Sequence, residues 1–118
     1  ASLASGDTVG YGRRFTATLP GRVATIAAGY ADGLHWRAAE KGGAIVRGMR
    51  VPFAGSISMD QASLDVAAVP NIQVGDVVTL IGRDGSAVLT ADDLAEASGT
   101  ISYEVLCAIS YRVPRRYL

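Results

Sequence analysis

Fourteen glycines spread along 118 residues constrain this chain more than any other feature. They fall in pairs such as Asp32-Gly33, Gly42-Gly43, Gly75-Asp76 and Asp84-Gly85, between short apolar stretches. That spacing is the punctuation of many strands by tight turns, where a residue without Cβ takes backbone shapes closed to others. It excludes low complexity, and no internal repeat or linker stretch is visible.

The pattern predicts a strand over Thr8–Leu19, closed by Pro20-Gly21, and a mostly apolar, doubly buried strand over Arg22–Ala28. Leu34–Lys41 has room for a helical turn before Gly42-Gly43 stops it. Short strands follow over Ala44–Arg47, Met49–Ala54 and Ala62–Val66, with Gly48 as the turn between the first two. Pro52 confines the middle one to a sheet edge or a bulge. Val77–Ile81 reads as an apolar strand ending at Gly82, with a hairpin turn over Gly82-Arg83-Asp84-Gly85.

Helical signals come late. Thr90 is a good N-cap, Asp92 and Asp93 suit the first turn, and Gly99 is a stop. A second short helix is expected over Ile101–Ile109, with Ile101, Val105 and Ile109 on one face, before Val113–Leu118 turns extended. The fold class is therefore mainly β, with one or two short helices, in a single domain spanning residues 1–118.

Eleven basic and eleven acidic side chains cancel, which removes the broad field that attracts nucleic acid or anionic membrane. No apolar run approaches bilayer length, and the chain opens without signal-peptide character. One cysteine makes no internal disulfide, so a cytoplasmic location is expected. The single histidine, His35, cannot assemble a multi-histidine metal centre, and no metal is expected. Cys107, in an apolar helical stretch, reads as a small core residue.

Four motifs remain in order along the chain. They are Val9-Gly10-Tyr11-Gly12, Gly29-Tyr30-Ala31-Asp32-Gly33, Ser56-Ile57-Ser58-Met59-Asp60-Gln61 and Thr100-Ile101-Ser102-Tyr103-Glu104-Val105. Taken singly, each has a plain structural reading: strand tyrosine, turn, core methionine with a turn aspartate, and buried helix tyrosine. Met59-Asp60-Gln61 breaks the strand pattern, which predicts a bend with free backbone N–H groups.

Together the series resembles the C-terminal domain of alanine racemase, over nearly the whole chain. The resemblance implies a barrel-like Greek-key domain. It also implies pyridoxal 5'-phosphate, an electron sink that acidifies an amino acid's α-carbon. By resemblance Tyr11 is the catalytic base facing the L-enantiomer, and Tyr30 and Met59 serve the substrate, Met59 through its backbone. Tyr103 bonds the cofactor phosphate, and Asp60 stands near the entry channel. An ordinary phenol has a pKa of about 10, so nearby positive charge must favour the phenolate. Arg13 shares a face with Tyr11 if that strand is regular.

The family pattern is a homodimer in which the barrel domain of one subunit supplies the cofactor lysine. The sole lysine here, Lys41, sits in a polar Glu-Lys-Gly-Gly segment, so that role falls to an N-terminal barrel domain outside this sequence. Without it the 118 residues are expected to be inactive. One departure is Ser56, where the family usually has arginine. Two alternatives stay open: a serine or broad-specificity racemase domain, and a non-catalytic β-barrel binding module using Arg112, Arg115 and Arg116.

Overall fold

The computed structural model describes residues 23–110 and 113, together with the backbone of residues 11–14. Seven strands appear there: β1 (Tyr11–Arg14), β2 (Val23–Ile26), β3 (Gly43–Val46), β4 (Met49–Pro52), β5 (Ala62–Asp65), β6 (Val77–Asp84) and β7 (Ala87–Leu89). Three α-helices join them: α1 (Ala38–Lys41), α2 (Ala91–Ser98) and α3 (Ser102–Ala108). A 3-10 turn covers Tyr30–Asp32. The one-turn α1 falls within the Leu34–Lys41 stretch expected to hold a helical turn, and Gly42 caps its end.

All strand pairs are antiparallel. The larger sheet runs β1-β6-β3-β4, with β7 also paired to β6, and β2 pairs β5 separately. A bridge between Phe53 and Leu64 joins the two sheets. The order β6-β3-β4-β5 is a Greek key, since the strand after three consecutive ones returns beside the first. The result is a curled half-barrel.

The β3–β4 hairpin shows how local chemistry sets this register. Arg47 and Gly48 both have positive φ, 49° and 78°, as a type I′ turn demands. Arg47 is not a residue that favours this conformation. Its guanidinium grips Asp76 at 2.7 and 3.0 Å, and Asp84 accepts the Gly48 N–H at 3.0 Å. The bond from Arg47 holds the Asp76 carboxyl below its ordinary range, helped by the Gln73 N–H.

Alternation on β2 and β5 sends Ala24, Ile26, Ala62 and Leu64 inward. On β6 the run from Val78 to Ile81 is buried on both faces, as a central strand must be. Gly82 does not end that strand, which continues to Asp84, because its positive φ (138°) is accommodated within the pairing to β7. Pro52 closes β4, where the ladder to β3 ends.

α2 matches its sequence signals closely. Thr90 Oγ1 accepts the Asp93 N–H at 3.1 Å, and Asp93 returns a bond to the Thr90 N–H at 2.8 Å. That bond depresses the Asp93 carboxyl. Gly99 turns left-handed, and the Thr100 N–H closes on the Ala95 carbonyl at 2.9 Å. Leu94, Ala95 and Ser98 are buried as α2 packs against α1, α3 and β6.

α3 departs from expectation. Within the helix only Val105 is buried. Ile109, at the C-cap, packs half-buried against the same core, but Ile101 is 64% exposed, so the expected three-residue face loses its first member. Cys107 is exposed too, not a core residue. Among the described residues no helix is long and apolar enough to cross a membrane.

Candidate functional site

β2 ends in a turn that carries one candidate and presses on two more. At its base the Gly29 N–H bonds Asp32 Oδ2 at 3.0 Å, and the Asp32 N–H returns to the Gly29 carbonyl at 3.0 Å. Asp32 is fully buried, although Asp-Gly read as a plain turn. Gly33 takes a positive φ of 106°, and a Cβ there would strike the Ala108 carbonyl at 2.7 Å. The turn is thus packed directly on the end of α3. The Ser110 N–H adds a bond to the Asp32 carbonyl at 3.3 Å.

Opposite this turn lies the predicted bend. Ser58 and Gln61 close on each other through the Ser58 N–H and Oγ to the Gln61 carbonyl, at 2.9 and 3.1 Å. The Gln61 N–H answers to Ser58 Oγ at 3.2 Å. Met59 and Asp60 form the tip, both exposed, above a buried Ile57.

The Tyr30 N–H bonds the Ser58 carbonyl at 3.0 Å, and the Ala31 N–H bonds the Met59 carbonyl at 2.8 Å. Tyr30, Met59 and Asp60 are therefore brought together through their backbones. The Met59 N–H has no acceptor among the described residues. A free N–H at an exposed tip is a donor that a carboxylate can use.

The Tyr30 ring, half exposed, lines a pocket of about 100 Å³ with Trp36, Leu94, Val105 and Ala108. Glu104, on the first turn of α3, lines it too, so α3 and the Tyr30 turn share one mouth. Tyr103, next in sequence, is 77% exposed, not buried. Its phenol is open to a ligand or to another polypeptide surface.

Sequence reasoning passed over the aromatic cluster beside this pocket. His35 and Trp36 stack with centroids 5.8 Å apart, and the Arg37 guanidinium sits 5.3 Å from the Trp36 ring centre. The Arg37 N–H bonds His35 Nδ1 at 3.1 Å. The signal available was only a run of three large side chains after a turn.

Tyr11 lies on β1, its backbone paired with Ile81. The register slips between Tyr11 and Gly12, whose partner is Thr79, so Leu80 is the extra residue. The extra residue belongs to β6, while β1 itself inserts none. The Arg13 side chain, expected on the Tyr11 face, lies outside the described residues. The Tyr11 side chain lies outside the described residues, as do Arg112, Arg115 and Arg116. Lys41 ends α1 and lines a different cavity, of about 220 Å³, with Arg50, Val51, Leu80 and Asp93. Among the described residues no three His, Cys, Asp or Glu side chains gather as a metal site would need.

Comparison with known proteins puts this geometry in context. A family model described as alanine racemase, C-terminal domain, matches residues 1–117. The alanine racemase of Cutibacterium acnes is 48% identical over 117 residues, covering 99% of this chain and 31% of that protein. The chain spans about a third of the length of the curated relatives it matches. In three dimensions the crystal structure of alanine racemase from E. faecalis matches with a TM-score of 0.81 at 29% identity, over 91% of this chain and 33% of that one. The alanine racemase from Bacillus anthracis with bound L-Ala-P matches with a TM-score of 0.75 at 34% identity, over 95% of this chain and 31% of that one.

Proposed function

As the chain belongs to the alanine racemase family, through that enzyme's C-terminal domain, we propose that its 118 residues form one domain of a pyridoxal-phosphate-dependent racemase interconverting L- and D-alanine. That product suits D-alanine supply for peptidoglycan, in the cytoplasm. The single observation carrying the reading is the family match over residues 1–117, with Tyr11, Tyr30, Met59 and Tyr103 in order within it. The relatives' shared name favours alanine over serine.

The cofactor fits this chain at one end only. An exposed Tyr103 phenol can bond a phosphate, whereas the sole lysine, Lys41, lines a cavity from which Tyr30 and Tyr103 are absent. The anchoring lysine therefore belongs to an N-terminal barrel domain, in a homodimer whose sites lie between subunits. When bound, the cofactor acts as an electron sink for the α-carbon.

Each residue of this chain then has a defined task. The Tyr11 phenolic oxygen takes the α-proton of L-alanine, or returns it in the opposite direction. The Met59 N–H holds the substrate carboxylate and so fixes which face the phenol meets. The Tyr30 ring narrows the entrance, which limits water and side-chain size, and Asp60 stands at the approach. The same domain alone, lacking the lysine, does not racemise alanine.

The test is Tyr11→Phe in the full-length protein, assayed by D-alanine formation from L-alanine. Loss of a general base lowers turnover by roughly 10²–10⁴-fold. Undiminished turnover refutes the reading.

A further inference from the structure

The backbone contact between the Tyr30 turn and the Met59 tip carries a consequence for where the Met59 N–H points. A trans peptide points its carbonyl and its N–H in opposite directions within one plane, and no cis bond occurs among the described residues. The Ser58 carbonyl and the Met59 N–H belong to the same plane. With that carbonyl held by the Tyr30 N–H at 3.0 Å, the Met59 N–H faces away from the Tyr30 backbone. The following plane is fixed by the Ala31 N–H on the Met59 carbonyl at 2.8 Å. The Ser58–Gln61 closure locks the tip from its other side. Rotating the Met59 amide to another direction breaks these bonds together.

Two residues permit this approach. Gly29 lies so close that an added Cβ would stand 2.2 Å from the Ser58 carbonyl oxygen and 2.6 Å from the Met59 carbonyl carbon and the Asp60 nitrogen. All three are backbone atoms, which cannot swing aside as a side-chain end can. Asp32, fully buried, holds the Gly29 N–H from beneath at 3.0 Å.

We propose that Gly29 and Asp32 are positioning residues that aim the Met59 N–H at the substrate carboxylate. The inference rests on the role given to Met59 above. It assigns the two residues a share in substrate binding that their appearance as turn formers does not disclose.

The test uses the full-length, cofactor-loaded protein carrying Gly29→Ala. KM for both alanine enantiomers and Ki for propanoate, which is alanine without its amino group, are measured beside kcat per cofactor-loaded site. Mis-aiming one hydrogen bond to a charged group raises KM and Ki together by about tenfold or more, while kcat changes less. A merely structural defect reduces the number of working sites and leaves KM and Ki unchanged, and that result overturns the proposal. Should Gly29→Ala fail to accumulate, Asp32→Ala releases the Gly29 N–H without adding an atom at the contact and carries the same expectation. Tyr11→Phe measured in parallel separates the two ideas. If it retains activity, the functional reading falls. If it is inactive while both other variants keep KM and Ki unchanged, the positioning proposal alone falls.

Discussion

Leu64→Ala should destabilise the domain by about 3–4 kcal/mol. Leu64 is fully buried, pairs with Ala24 across β2, and makes the bridge to Phe53 that joins the two sheets. Truncation exchanges an isobutyl group for a methyl, about three buried carbons at roughly 0.8 kcal/mol each, or about 2.4 kcal/mol. The hole refills only in part, because Ala24 across from it and Ala62 beside it on the same face are too short to lean in, which leaves Ile26 and Phe53 as the larger side chains at its rim. If about 50 Å³ stays empty, roughly 24 cal/mol per Å³ adds about 1.2 kcal/mol. Urea unfolding followed by far-ultraviolet circular dichroism measures the difference. The single tryptophan, Trp36, is already 57% exposed and reports unfolding weakly. With a urea slope of about 1.5–2 kcal/mol/M, the midpoint falls by about 2 M. Val88→Ala, at a partly exposed position on β7, serves as the control and should shift by far less. A loss below about 1 kcal/mol for Leu64→Ala would mean that the site collapses around the missing atoms, contrary to the packing described.

Further outcomes follow from the caps and the ion pair. Thr90→Ala removes the Asp93 N–H acceptor and should cost about 1 kcal/mol in the same unfolding experiment; an unchanged midpoint would show that α2 needs no cap. The Asp76 carboxyl is depressed below 3.8 in the fold, so its contribution is complete above that value and is lost as acid drives protons onto the folded form. Wild type should exceed Asp76→Asn in stability at neutral pH, and the two should converge as pH falls through and below the ordinary carboxylate range. Because Arg47 is exposed, added salt should also narrow the gap. A gap that widens in acid contradicts the sign.

What could be read in advance was what neighbours in sequence decide. Thr90, Asp93 and Gly99 fix both ends of α2 within a few residues, and Gly48 marks its hairpin, although Asp76 and Asp84 hold that turn from far along the chain. Reading failed where burial depends on a distant partner. Ile101 and Val105 are equally apolar, yet only Val105 meets the body of the domain, because α3 docks through a face set by the Gly33–Ala108 contact. Asp32 read as a plain turn residue, but its carboxylate is enclosed beneath Gly29. The four motifs identified the candidate residues, while the meeting of Tyr30 with Met59 depends on β2 pairing with β5, a long-range register that neither segment encodes alone.

Strand β6 bonds to β1, β3 and β7 and is among the last strands to leave the ribosome. Until residue 84 emerges, β1 waits without its neighbour while the β3–β4 hairpin can close on its own. Contacts so far apart along the chain make folding slow. A nascent chain stalled near residue 76 therefore exposes the edge of β3 that β6 will later cover, and should be far more sensitive to protease and to chaperone capture than one stalled only a few dozen residues further on.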